Sequence, residues 1–78
     1  TTPAKRIYLC VQQMYLENDI PKYQTLYLEF IRDMLDAVPS SRALIEAASN
    51  HILNGDLYKA LKDIRKLMKR EDELLSRS

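Results

Sequence analysis

Lys59, Lys62, Lys66, Lys69 and Arg70 follow one another at helical intervals, and Arg65 stands beside them. At about 100° per residue, the first five gather on one side of a helix, with Arg65 at the border. Cations in such a row neutralise phosphates and release condensed counterions, a source of affinity that carries no sequence information. Six phosphate contacts would give a single-strand salt slope of about −0.7 × 6, or roughly −4. One helix face seldom meets six phosphates together, so this is an upper bound. Recognition of unpaired bases adds aromatic stacking. Five tyrosines are available, and Tyr58 opens the basic stretch between its two faces. Lys5 and Arg6 extend the patch if the first helix starts nearby. The plain alternative is a charged stripe that only solvates a helix.

The other reactive side chains offer less. His51 is the single histidine, with no second His or Cys at ligand spacing, so a partly buried or capping role is expected and a zinc site is not. Cys10 lies on an apolar stripe and reads as a core thiol, since a nucleophile needs a base and an oxyanion site. Glu71-Asp72-Glu73 reads as a helix end interacting with Lys69 and Arg70 rather than as a metal cluster. One glycine is too few for a phosphate-cradling loop. No catalytic residue, metal or cofactor is expected.

The helix that must carry the cations is legible. Gly55 can end the preceding helix and Asp56 is a good N-cap for the next. Leu57, Ala60, Leu61, Ile64, Leu67 and Met68 form its apolar face, opposite the cations, over residues 55–72. Thr2-Pro3 opens a first helix that runs to about Asn18. Asn18, Asp19 and Pro21 mark a turn. Tyr23, Leu26, Tyr27, Phe30, Ile31, Met34, Leu35 and Val38 then keep the i, i+3, i+4, i+7 pattern of a second helix. Val38-Pro39-Ser40-Ser41 ends it and caps a third, from about Arg42 to Asn54, with Leu44, Ala47, Ala48, His51 and Ile52 on its apolar side. No alternating strand pattern occurs. Short connections favour antiparallel neighbours, so the expectation is a compact all-α bundle of about four helices in one domain, residues 1–78.

Seventy-eight residues, 46% hydrophobic and 29% charged, suit one small globular domain with a modest core. No apolar run approaches the ~20 residues of a membrane span. A lone cysteine excludes an internal disulfide and fits a cytoplasmic protein. The chain starts with Thr1, which reads as a fragment or a processed form. The net charge of +1 is unevenly spread: residues 1–55 carry −1, residues 56–70 carry +4 and residues 71–78 carry −2. Local charge decides where a polyanion lands. The first helix is apolar on two sides: Ile7, Cys10, Val11 and Met14 form one stripe, and Leu9 and Leu16 lie nearly opposite. Such a helix is either central or covered by something else.

Thr1-Thr2-Pro3-Ala4 with Ile7-Tyr8, then Met14-Tyr15-Leu16, resembles the flagellin-synthesis regulator FlbT of alphaproteobacteria. So do Tyr58-Lys59-Ala60-Leu61, Arg65-Lys66-Leu67 and Glu71-Asp72-Glu73. Residues 22–54 match mainly in hydrophobic pattern. The resemblance is to the helical C-terminal part of that family, without its β-rich N-terminal part. It implies a regulator of bacterial flagellum biogenesis, repressor or activator, rather than an enzyme. It also implies post-transcriptional control through the 5′ untranslated region of flagellin mRNA, alongside the companion regulator FlaF.

Direct RNA binding would then fall on Lys59, Lys62, Arg65, Lys66, Lys69 and Arg70. A helical adaptor or chaperone-like module is the alternative, with Leu9, Leu16, Tyr8 and Tyr15 receiving FlaF or flagellin. Gly55-Asp56-x-Tyr58-x-Ala60-Leu61 also resembles a tetratricopeptide helix start, but no ~34-residue period supports a repeat.

Overall fold

Helix boundaries follow from local chemistry at each turn. The computed structural model describes residues 1–77, and these form α1 (Pro3–Glu17), α2 (Ile20–Ala37), α3 (Arg42–Leu53) and α4 (Leu57–Ser76). A 3-10 turn, Pro39–Ser41, joins α2 to α3. Asn18 ends α1 in the left-handed region at φ 51°, which asparagine tolerates better than most residues. The Asp19 N–H then returns to the Met14 carbonyl at 3.2 Å. Asp19 starts α2 by accepting the Lys22 N–H at 3.2 Å. Gly55, at φ 77°, closes α3, and the Asp56 N–H reaches the His51 carbonyl at 2.8 Å. Asp56 caps α4 through the Lys59 N–H at 3.1 Å.

Two expected caps are absent. Thr2 makes no side-chain cap to α1. The Ser41 hydroxyl donates backward to the Val38 carbonyl at 2.6 Å instead of capping α3. Helix α4 also runs beyond residue 72, to Ser76, because Glu71 and Leu74 continue the inward stripe of Ile64 and Leu67.

In cross-section the order is α2, α1, α4, α3: α1 packs on both α2 and α4, α3 packs on α4, and α2 and α3 barely meet. The α1/α4 pair is antiparallel, since Ala4 lies beside Glu71 and Tyr8 beside Arg65. Ile7, Val11 and Met14 of α1, Met34 of α2, and Ile64 and Leu67 of α4 centre the core and are almost fully buried. Each such side chain contributes about 1.5–3 kcal/mol of hydrophobic transfer energy.

The position of α3 explains why α2, with its long apolar stripe, is poorly buried. Only Tyr27 and Met34 are buried on it; Tyr23, Phe30, Ile31 and Leu35 are half-buried and Leu26 is exposed. A cleft of about 440 Å³ opens between α2 and α3, lined by Met14, Ile20, Leu28, Ile52 and Leu53. The Tyr27 hydroxyl bridges it to Ser49 Oγ at 2.8 Å. Helix α1 is central by its neighbours but not covered all round: Leu9 and Leu16 remain 45% and 67% exposed.

Candidate nucleic-acid interface

Helix α4 turns Leu57, Ala60, Ile64 and Leu67 inward, so its cations project outward. Lys59, Lys62, Arg65, Lys66, Lys69 and Arg70 are all exposed. They form one face by position but two by pairing. On the side toward α3, Lys59 Nζ lies 3.6 Å from Asp56 Oδ2, and Lys66 Nζ lies 4.0 Å from Asp63 Oδ1. Asp63 is held against His51 Nε2 at 3.4 Å. Arg70 donates to Ser40 Oγ at 3.1 Å, on the turn before α3.

Toward α1, Lys62 and Arg65 meet aromatic rings instead. Tyr58, Lys62, Arg65 and Lys69 follow one another as i, i+4, i+7 and i+11, a single stripe on the helix. Lys62 Nζ lies 4.9 Å from the centroid of the Tyr58 ring. Arg65 donates to the Tyr8 hydroxyl at 3.2 Å, and this contact holds the guanidinium further above its ordinary range. Among the described residues, Lys62, Arg65 and Lys69 form no ion pair with a carboxylate. Arg70, toward α3, likewise faces a neutral hydroxyl and no carboxylate, so among the described residues three of the four uncompensated cations of the row lie at the α1 border.

Of the two cations on α1, Lys5 joins this border. It lines a groove of about 700 Å³ between α1 and α4 with Tyr8, Leu9, Gln12, Met68 and Asp72. Arg6 lines a different groove, beside Tyr23, Leu26 and Phe30 of α2, and does not extend the row. The candidate partner-binding residues divide as well. Leu9, Leu16 and Tyr15 are exposed on α1, whereas Tyr8 is half-buried against α4 through Arg65.

Glu71 does not serve as a surface partner of Lys69 or Arg70. It is 3% exposed, and its Oε2 accepts the Ala4 N–H at 3.0 Å. A carboxylate from the end of α4 thus supplies the cap that Thr2 does not, at the positive end of the α1 dipole. Its sequence signal is a charged residue on an otherwise apolar helical stripe. Among the described residues, no group of His, Cys, Asp and Glu is placed to hold a metal ion. Burial pushes the Cys10 thiol up to about 11, which keeps it protonated and unreactive near neutrality. No described helix is long and apolar enough to cross a membrane.

The profile of the family described as flagellar protein FlbT matches residues 1–75. A Rhodopseudomonas palustris protein named as a probable flagellum biosynthesis repressor FlbT is 70% identical over 97% of this chain and 60% of its own length. A Bradyrhizobium diazoefficiens relative, named as a probable flagellum biosynthesis repressor FlbT 1, is 53% identical over 94% of the chain and 50% of its own length. The flagellum biosynthesis repressor FlbT of Caulobacter vibrioides is 35% identical over 96% of the chain and 55% of its own length. The chain thus spans between half and 60% of these relatives. No solved structure matches it.

Proposed function

This chain belongs to the FlbT family of flagellar proteins, and we propose that it regulates flagellum biosynthesis by contacting the 5′ untranslated region of flagellin mRNA. The observation that carries the RNA contact is the unpaired charge of Lys62, Arg65 and Lys69 along the α1 border of α4. The names of the relatives support the regulatory role. The charge geometry supports a polyanion as the direct target. Three cations, rather than six, set the expected single-strand salt slope at about −0.7 × 3, or roughly −2. Lys59 and Lys66 contribute less, because each already faces an aspartate. FlaF acts in this reading as a separate protein partner.

The test is a salt titration of binding to a labelled flagellin leader RNA, read by fluorescence anisotropy. Replacing Lys62 and Lys69 with Gln is expected to reduce the slope to about −0.7. At 50 mM salt each lost contact corresponds to a roughly 10-fold loss of affinity. Replacing Lys59 and Lys66 with Gln removes the same formal charge and should cost much less. Equal losses from the two pairs would refute the assignment to the α1 border. Absence of salt-dependent binding by the unmodified chain would refute direct RNA contact.

The exposed Leu9, Leu16 and Tyr15 favour a second reading, in which the outer side of α1 receives an amphipathic helix of FlaF or flagellin. The two readings use different residues, although Leu9 also lines the α1–α4 groove, and are separable by mutation.

A further inference from the structure

We propose that the α1–α4 border binds unpaired bases, with Tyr58 and Tyr8 as stacking platforms and Lys62 and Arg65 as phosphate clamps released when the bases stack. The proposal rests on the RNA reading above and names the form of RNA that it takes. Tyr58 is 61% exposed, although a tyrosine ring is largely apolar. Its position on α4 falls within the cation stripe and not on the buried face. Tyr8 reaches the same stripe from α1 and holds Arg65 at 3.2 Å. Arg65 Cζ lies 5.8 Å from the Tyr8 ring centroid. Two of the three unpaired cations at this border are therefore parked on tyrosines rather than on carboxylates.

The spacing suits a strand. Tyr58 precedes Arg65 by seven residues, and Arg65 is level with Tyr8, so the rings are offset by about 10 Å along the helix axes at 1.5 Å per residue. That is about three rises of 3.4 Å in a stacked strand. Asp72 lines one end of the α1–α4 groove, and Glu73 follows it, so the acidic end of α4 closes the track to phosphate on that side. Tyr58 lies beyond the groove's lining, toward the start of α4.

Exchange of ring partners favours the bound state. An exposed cation–π contact is worth a factor of about 2–5 in an equilibrium constant, whereas stacking a base on an aromatic ring is worth roughly 5- to 150-fold. A base that takes the Tyr58 face frees Lys62 for the adjoining phosphate, where its charge is used more fully. A duplex hides its base faces and gains nothing from the tyrosines. An acidic peptide meets the cations but brings no aromatic base to the rings.

The experiment compares a labelled single-stranded decaadenylate, a 10-base-pair RNA duplex and a polyglutamate peptide, each titrated with the unmodified chain and with Tyr58→Leu. Circular dichroism checks that the variant keeps its helicity. A second variant, Tyr8→Leu, tests the other ring. The expected result is a roughly 5- to 150-fold loss on the single strand for Tyr58→Leu, with the salt slope kept near −2 and duplex binding unchanged. Single-strand affinity unchanged in both tyrosine variants, with salt-dependent binding intact, would overturn the stacking site and leave RNA contact standing. Binding of polyglutamate but of neither RNA would overturn both readings.

Discussion

Substitution of Glu71 tests whether the α1–α4 framework depends on one buried carboxylate. Glu71 is 3% exposed and Ala4 is fully buried, so the Ala4 N–H depends on Oε2 as its acceptor. In Glu71→Ala that donor is left unsatisfied, at a cost of about 1–3 kcal/mol. Loss of the charge at the N-terminus of α1 adds about 0.3–2 kcal/mol. Relief of the desolvated carboxylate works in the opposite direction, so a net loss of about 2–3 kcal/mol is expected. For 78 residues each kcal/mol moves Tm by roughly 4–8 °C, which places the variant some 10–20 °C below the parent. Glu71→Gln keeps an oxygen acceptor and loses only the charge, so a decrease of about 1 kcal/mol, near 5 °C, is expected. Thermal and urea melts followed by far-UV circular dichroism measure both. A Glu71→Ala variant that melts within about 2 °C of the parent would refute the cap as a structural requirement. An Ala variant more stable than the parent would show that the carboxylate costs more than it returns.

Two further tests address α1. Burial raises the Cys10 thiol from 9.0 to about 11, so the folded state retains a proton that the unfolded chain releases near pH 9. The associated stability is fully present below pH 9 and declines toward pH 11, by roughly 2–3 kcal/mol in all. The difference in urea midpoint between the parent and Cys10→Ala should therefore shrink over that range; a constant difference would refute protection by burial. On the opposite side, Leu9→Asp with Leu16→Asp should abolish capture of purified FlaF or flagellin without lowering Tm, because both leucines are exposed. Normal capture by the double variant would exclude that face.

The four helices were legible because their ends are written in residues that act locally. Asp19, Gly55 and Asp56 do at their turns what their types predict, each through a backbone bond within five residues. The degree of burial was not legible in the same way. The stripe from Tyr23 to Val38 identifies which side of α2 is apolar, but the periodicity carries no information on how many neighbours that side receives. Helix α3 leans on α4, and so Leu28, Ile31 and Leu35 keep part of their surface in water. Leu9 and Leu16 show the same limit on α1. Two apolar sides suggested enclosure, yet α2 and α4 occupy adjoining sides and leave the third open.

The candidate site was legible as a row and not as a surface with an inner division. Six cations on one face invite a count of six, but a charge attracts a phosphate only to the extent that its own neighbours leave it unmatched. Asp56 and Asp63 stand three residues before Lys59 and Lys66, and that spacing is readable from the sequence. The tyrosine that meets Arg65 is not readable, because Tyr8 lies 57 residues away and arrives through the packing of α1 on α4. Glu71 is an intermediate case. Its place on the apolar stripe of Leu57, Ala60, Ile64 and Leu67 requires a buried donor, since an unpartnered carboxylate there would be costly. Which donor meets it depends on the antiparallel register, and Ala4 is 67 residues away. The same register that joins Glu71 to the start of α1 sets Tyr8 against Arg65 one helical turn and a half further along. The cap and the proposed stacking border therefore depend on one packing arrangement. A stability defect at Glu71 should weaken nucleic-acid binding through the geometry of Tyr8, while leaving the cations of α4 in place.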